Sequence, residues 1–401
     1  MKGLLHPKPE HSTLKSPHLN PRQDKVVGAT QLENLQGQWI GPLSGEVTGM
    51  AILDLDLVGD EYWGSGMIFP DGAGVPGTLA KIRTPKQRFP QFDVPIVALT
   101  RTGEPVAAKN VRSTFGDFNH GSVANLRFEI DDENRIRIVY RTDIGTVGIA
   151  QLAKSRSDRQ STYESDPQIS DWSSFKHYIS ETDVAANIYR GQPDVWRLRT
   201  SFHRTNRTDL ARYIDEDAKI LQRHLSPIVE NKFNYANPDH LGEFFHLVQH
   251  HGFPTPLLDW TESPYVAAYF AFRNPFPDDH GSVRIFQFAR RAWDRDSNTP
   301  KDNHVSRVKP HVTILDLAGP LNHRTLPQQA VSMLTNIDDL EHFIFFHESR
   351  QDQQYLRVFD IPKSERRTVL RDLRTMGITA SSLFPGLDGS CEALKQLRFD
   401  D

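Results

Sequence analysis

The stretch HHGFPTPLLDWTESPYVAAYFAF, His250 to Phe272, sets two prolines and an Asp-Trp-Thr directly in front of an alanine-rich aromatic run. Pro254 and Pro256 fix two φ angles and push Phe253 and Thr255 towards extended backbone, so FPTP is a stiff connector. Leu257 and Leu258 return the chain to a core, and Asp259, Trp260 and Thr261 stand at its exit. Ser263 before Pro264 reads as an N-cap followed by proline in the first helical turn. Ala267, Ala268 and Ala271 then fall at helical spacing among aromatics, which predicts a helix packed on all sides, with its polar N-terminal corner at a cleft. Asp259 and Thr261 either cap that helix and satisfy buried amides or line the cleft.

Outward from this stretch, the chain of 401 residues, 37 % hydrophobic and 24 % charged, is long enough for two cored domains. No run reaches the roughly 18 to 20 apolar residues of a membrane span. The N-terminus has no apolar core of signal-peptide length, so a cytoplasmic protein without a membrane partner is expected. Its one cysteine, Cys391, excludes an intrachain disulfide and a multi-thiolate zinc site. The net charge of -4 carries no global bias towards nucleic acid.

Residues 1–26, with Pro7, Pro9, Pro17 and Pro21, read as a disordered tail. Over residues 27–152 the period is two: GMAILDLDLVG sets Leu53, Leu55 and Leu57 on one face and Asp54 and Asp56 on the other, and ANLRFEID and NRIRIVYRT repeat the alternation around a turn. A small antiparallel β-sandwich or barrel is predicted, with Trp39, Tyr62, Trp63 and Phe69 as its core or as the lining of a ligand groove. Residues 153–170 are polar and read as a linker. Residues 171–401 interleave helix and strand signals, so the fold class is α+β with a mixed α/β second domain. Helices are predicted from a Thr208 cap to Pro227, from about His240 to Gly252, and from a Ser364 cap to Gly377. GSVRIFQFA, HVTILDL, EHFIFF and YLRVFDI are the strand candidates.

No GxxxxGK[ST] loop or GxSxG elbow occurs, which argues against P-loop and α/β-hydrolase chemistry. His246 and His250 lie four apart, but HLVQH lacks a metalloprotease glutamate and no metal is expected. Arg367, Arg371 and Arg374, and Arg197, Arg199 and Arg204, are candidate phosphate contacts, although such stripes are most simply solvated faces.

The opening stretch, together with NIYRGQ upstream and NHRTLPQQ downstream, resembles the FRG domain family over about residues 170–400. Tyr189, Arg190 and Gly191 match its first motif. Asn322, Arg324, Gln328 and Gln329 match its third, with Ala330 in place of a glycine, and MGITASSLFPGLDG resembles its ending. More remotely, the order of Arg190, Asp259 to Thr261 and Gln328 is similar to the three motifs of the ADP-ribosyltransferase superfamily. That resemblance implies NAD as substrate: Arg190 clamping the pyrophosphate, Asp259 and Thr261 holding the nicotinamide ribose, and Gln328 placing a hydroxyl or the acceptor. Tyr189, Gly191, His251, Arg324 and Gln329 would complete the NAD contacts. Gln stands where the superfamily has Glu, so Asp259 or Glu348 would supply the anion. The implied activity is ADP-ribosyl transfer or NAD hydrolysis by a toxin or phage-defence effector, with a macromolecular or nucleic-acid acceptor and a β domain that recognises a target or regulator. The competing expectation is a non-catalytic nucleotide- or nucleic-acid-binding regulatory module.

Overall fold

The computed structural model describes residues 35–72, 74–86, 91–229, 233–234, 237–297, 308–316 and 324–399. The N-terminal tail and Asn322 lie outside the described residues. Nine strands come first: β1 (Gly37–Gly45), β2 (Gly49–Val58), β3 (Glu61–Pro70), β4 (Gly77–Pro85), β5 (Gln91–Leu99), β6 (Pro105–Val106), β7 (Val123–Asp132), β8 (Arg135–Thr142) and β9 (Val147–Lys154). Apart from the short β6, which extends β5, every strand pairs antiparallel with the next and β9 returns to β1. The result is a closed eight-stranded up-and-down barrel, which leaves no strand edge exposed. Of the two arrangements the alternation allowed, the structure takes the barrel. Trp39 and Tyr62 lie inside it, whereas Phe69 packs in a second cluster with Ile52, Met67, Leu79 and Leu99.

The alternation at GMAILDLDLVG holds, but its polar face does not meet water. Asp54 and Asp56 are buried against the second half of the chain, and Leu57 is exposed. Gln38 on β1 ties this seam: its Nε2 donates to Asp54 (2.9 Å) and to the Asn336 carbonyl (2.8 Å), and its Oε1 accepts from the Asp338 amide (2.9 Å). Asp56 accepts from Arg207 Nε (3.1 Å) and the Thr208 amide (2.8 Å).

Beyond the barrel lies an antiparallel sheet in the order β13-β14-β11-β10-β12-β15, built from β10 (Ile188–Gln192), β11 (Leu257–Thr261), β12 (Ser282–Phe288), β13 (Val312–Leu315), β14 (Ala330–Thr335) and β15 (Leu356–Pro362). Helices Trp172–Glu181, Pro264–Phe272 and Arg366–Thr375 bury one side of it, where Tyr189, Ile285 and Phe359 point. Ile188, Trp260, Phe286 and Met333 form a second core with Ile344 of helix Leu340–Gln351. Helix Pro238–His250 packs Phe244 and Phe245 over Leu257 and Leu334. Among the described residues no helix is long and apolar enough to cross a membrane.

Several local expectations change. EHFIFF is helical rather than a strand, because Asp339 caps the His342 amide (3.1 Å) and starts helix Leu340–Gln351. The cap of the Leu210 helix is Asp209 rather than Thr208, and the late helix begins at Arg366 without a side-chain cap from Ser364. Ser263 does cap the helix behind Pro264, accepting from the Val266 amide (3.3 Å).

Gly191 sits where β10 crosses helix Pro264–Phe272. A Cβ there would lie 1.9 Å from the Ala267 carbonyl oxygen and 2.9 Å from the Ala271 nitrogen. Both are backbone atoms and cannot swing away, so Gly191→Ala should destabilise the fold by about 3 kcal/mol or more, checked by denaturant unfolding. A loss below about 1 kcal/mol would mean that the helix moves freely on the strand. At the seam, burial, followed by nearby Asp56, pushes the Asp209 carboxyl up to about 6. The folded chain therefore holds this proton more tightly than the unfolded one; the stability so gained is complete below the unfolded value of 3.8 and lost as pH rises through about 6. Relative to Asp209→Asn, wild type should lose about 2 to 3 kcal/mol between pH 4 and pH 7.5, and a difference independent of pH would refute this.

Candidate functional site

β10 and β11 pair at one position, Tyr189 opposite Thr261, although each is paired along its whole length on its other side. Beyond that position the two strands part. Arg190 crosses the gap, its Nη1 donating to the backbone carbonyl of Asp259. Its Nε is sealed from solvent and has no partner among the described residues. Burial, then the neighbouring Arg204, lowers its pKa to about 10, with Asp259 opposing, so the guanidinium is charged at neutral pH.

The Asp259 side chain is exposed, and its Oδ1 accepts from Gln249 Nε2, which fixes the carboxylate. Opposite Asp259 on β14 lies Ser332, whose hydroxyl meets His246 Nδ1 (3.2 Å). His246 Nε2 lies 3.4 Å from both Thr325 Oγ1 and His250 Nε2, and the two imidazoles stand edge to face. Burial, then His250, lowers the His246 pKa to about 4, and burial lowers that of His250, so both rings are neutral at neutral pH. Helix Pro238–His250 therefore delivers Gln249, His246 and His250 to the row of sheet residues at Asp259 and Ser332. Gln249 and Ser332 were not singled out from the sequence; the signal for Gln249 was its place three residues after His246 on a predicted helix.

The other expected residues separate into two groups. Thr261 is buried, donates its one hydroxyl hydrogen to the Gln328 carbonyl (2.7 Å) and accepts from the Ser263 amide (3.1 Å). The Gln328 side chain is buried and donates to the Leu383 carbonyl (2.9 Å), and the Gln329 carbonyl accepts from the Glu262 amide (3.0 Å). The third motif thus closes over the second through backbone bonds. Gln329 takes a left-handed conformation, φ 47° and ψ 47°, and faces an open hollow with Glu262, Asn187 and Arg290.

Tyr189 is fully buried in the core beneath helix Pro264–Phe272, and its hydroxyl has no partner among the described residues. Gly191 is consumed by the contact with Ala267. His251 is exposed at the helix end, and its amide closes that turn on the Val248 carbonyl (3.1 Å). Arg324 lies over the Phe384 ring at 5.4 Å and close enough to lower the His250 pKa further. Glu348 is apart from all of these: it accepts from the Tyr163 hydroxyl (2.8 Å) and from the Tyr355 and Leu356 amides (2.6 and 2.7 Å), tying its helix to β15. Arg197 and Arg199 are engaged by Asp339 and Asp338, which leaves Arg204 as the member of that stripe beside Arg190.

The arrangement therefore offers one oriented, solvent-facing carboxylate beside a buried-edge guanidinium and two neutral imidazoles. Such a set can bind a polyanion and stabilise positive charge within one ligand. No curated protein and no solved structure matches the chain. A family model does match, over residues 185–280, and the segment that supplies Arg190, Gln249 and Asp259 is an FRG domain.

Proposed function

We propose that the chain acts on NAD, breaking the bond between nicotinamide and ribose and passing ADP-ribose to water or to a macromolecular or nucleic-acid acceptor. The observation that carries this reading is the Asp259 carboxylate, exposed and oriented by Gln249, on the same strand segment whose carbonyl anchors Arg190. As the bond to nicotinamide lengthens, its electron pair leaves with the pyridine and positive charge builds on the ribose; a fixed carboxylate stabilises that charge. With water as acceptor, the oxygen bonds to the anomeric carbon and its proton passes to Asp259 or solvent. The guanidinium edge of Arg190, helped by Arg204, suits the pyrophosphate. Neutral His250, held against the buried His246, can offer a hydrogen bond without adding charge beside the developing cation.

Thr261 and Gln328 act in this scheme as positioning residues, because the Thr261 hydroxyl and the Gln328 Nε2 are already bonded within the fold. The protein would work in the cytoplasm as a toxin or phage-defence effector, with the barrel recognising a target or regulator. A second reading, binding of a nucleotide or nucleic acid without turnover, is favoured by the cationic pair Arg190 and Arg204.

Nicotinamide release from NAD by the purified chain, alone and with DNA, RNA or lysate as acceptor, separates the two. Asp259→Asn should lower turnover at least a hundredfold and leave the melting temperature within about 2 °C, since the group is exposed. Arg190→Gln should chiefly raise KM, by tenfold or more. No release from folded wild type under any condition would sink the NAD reading, and tight nucleotide binding in that case would favour the second. Thr261→Val should cost about 1 to 3 kcal/mol of stability while release per folded molecule stays within threefold of wild type. A hundredfold loss in a variant of normal stability would return Thr261 to the reacting centre.

A further inference from the structure

Side-chain size falls towards one end on three strands of the barrel, while on β8 it rises from Ile136 and Ile138 to Tyr140, whose ring lies over Gly148. On β2 the inward positions run Ala51, Leu53, Leu55; on β7, Ala124, Leu126, Phe128; on β9, Gly148, Ala150, Leu152. On β3 and β4, Gly66 and Ala80 stand opposite each other, flanked by Ile68 on one side and Ile82 on the other. Because successive hairpins of an up-and-down barrel alternate between its ends, the small residues gather at the end formed by the β1–β2, β3–β4, β5–β7 and β8–β9 connections. Trp39, Tyr62 and Phe128 fill the opposite half.

The interior of an eight-stranded barrel is just wide enough for side chains to fill it or to hold one small ligand. Here the small-residue half is left with a cavity of about 120 Å³. Engineered apolar cavities of about 150 Å³ take up benzene, which sets the scale of a suitable guest. Among the described residues that line the cavity none is Asp, Glu, Lys or Arg. Its mouth is edged by Val75, Pro76, Phe118 and Ile144, and the last two are large apolar side chains left exposed. At the rim, His120 Nδ1 donates to the Gly121 carbonyl (2.7 Å) and its Nε2 lies 3.1 Å from the Thr78 hydroxyl, while burial lowers the pKa of the ring. Asn119, Thr142, Thr146 and Tyr140 are the further polar residues at this end.

We propose that the barrel binds one small, neutral, apolar molecule, of the size of a single or fused aromatic ring with at most one hydrogen-bonding group, in the lumen bounded by Ala51, Gly66, Ala80, Ala124 and Ala150. A charged guest would lose its water to a lining that carries no charge, and the carboxylates nearest the rim, Asp143 and Glu46, repel an anion further. The lost apolar contacts of an empty lumen supply the driving force. This site is separate from the row at Asp259, and it stands whether or not NAD is the substrate there.

Indole is the probe, titrated calorimetrically into the full chain with indole-3-acetate as the charged counterpart. Indole should bind one to one with a sub-millimolar Kd and raise the melting temperature, and indole-3-acetate should bind at least tenfold more weakly. Ala80→Leu and Ala150→Leu fill the lumen and should each weaken indole binding at least tenfold while unfolding stays cooperative. If both fill variants fail to fold, Ala124→Val, a smaller change, should still weaken binding at least threefold. Absence of binding to folded wild type up to the solubility of indole, equal binding of indole-3-acetate, or full binding by the folded variants would overturn the proposal.

Discussion

The backbone of β10 runs so close to helix Pro264–Phe272 that Gly191 has no room for a methyl group, and the arrangement of the site follows from that approach. With the helix seated on the strand, Tyr189 goes into the core beneath it, and Arg190, the next residue, projects to the other side. Because β10 meets β11 only at Tyr189 and Thr261, the gap beyond is open, and the Arg190 side chain bonds to Asp259 where a strand would otherwise have done so. A guanidinium in that place is a structural bridge and a charged edge at once. Its Nε, sealed from solvent and without a partner among the described residues, is a cost of that placement.

The seam between barrel and sheet is polar and buried, which is unusual for a surface that the alternation of β2 marks as solvent-facing. Gln38 uses both ends of its amide across it, and Asp56 receives Arg207 and the Thr208 amide. Burial pushes the Asp54 and Asp209 carboxyls up, whereas Asp56 is met by Arg207 and the Thr208 amide, and removing one of those donors would leave it underpartnered. The same seam continues from Gln38 to the Asp338 amide, and the Asp338 carboxylate pairs with Arg199, five residues before Arg204.

Much of the fold was legible in the residues. The two-residue period of the first half and the Ser263-Pro264 start of the buried helix are local signals, and the structure follows them. EHFIFF misled because its aromatic and β-branched residues favour strands in isolation; one aspartate cap, with Leu340 and Ile344 facing the core, outweighed that preference and left Phe345 and Phe346 exposed. The split between β10 and β11 has no signature in either strand, since it depends on how far the helix lets them approach.

Short-range facts are written in the chain: where it alternates, where a cap and a proline begin a helix, and which motif residues stand next to one another. Which of their polar atoms remain available was settled by packing. Thr261 and Gln328 looked like ligands in the chain, but the Gln328 and Leu383 carbonyls, far along the sequence, take up their donors. Asp259 looked equally capable of capping its helix, yet it faces solvent and is held by Gln249. The reason is physical: a hydrogen bond must be satisfied by whatever lies within about 3 Å, and the groups that come that close are set by packing rather than by spacing along the chain.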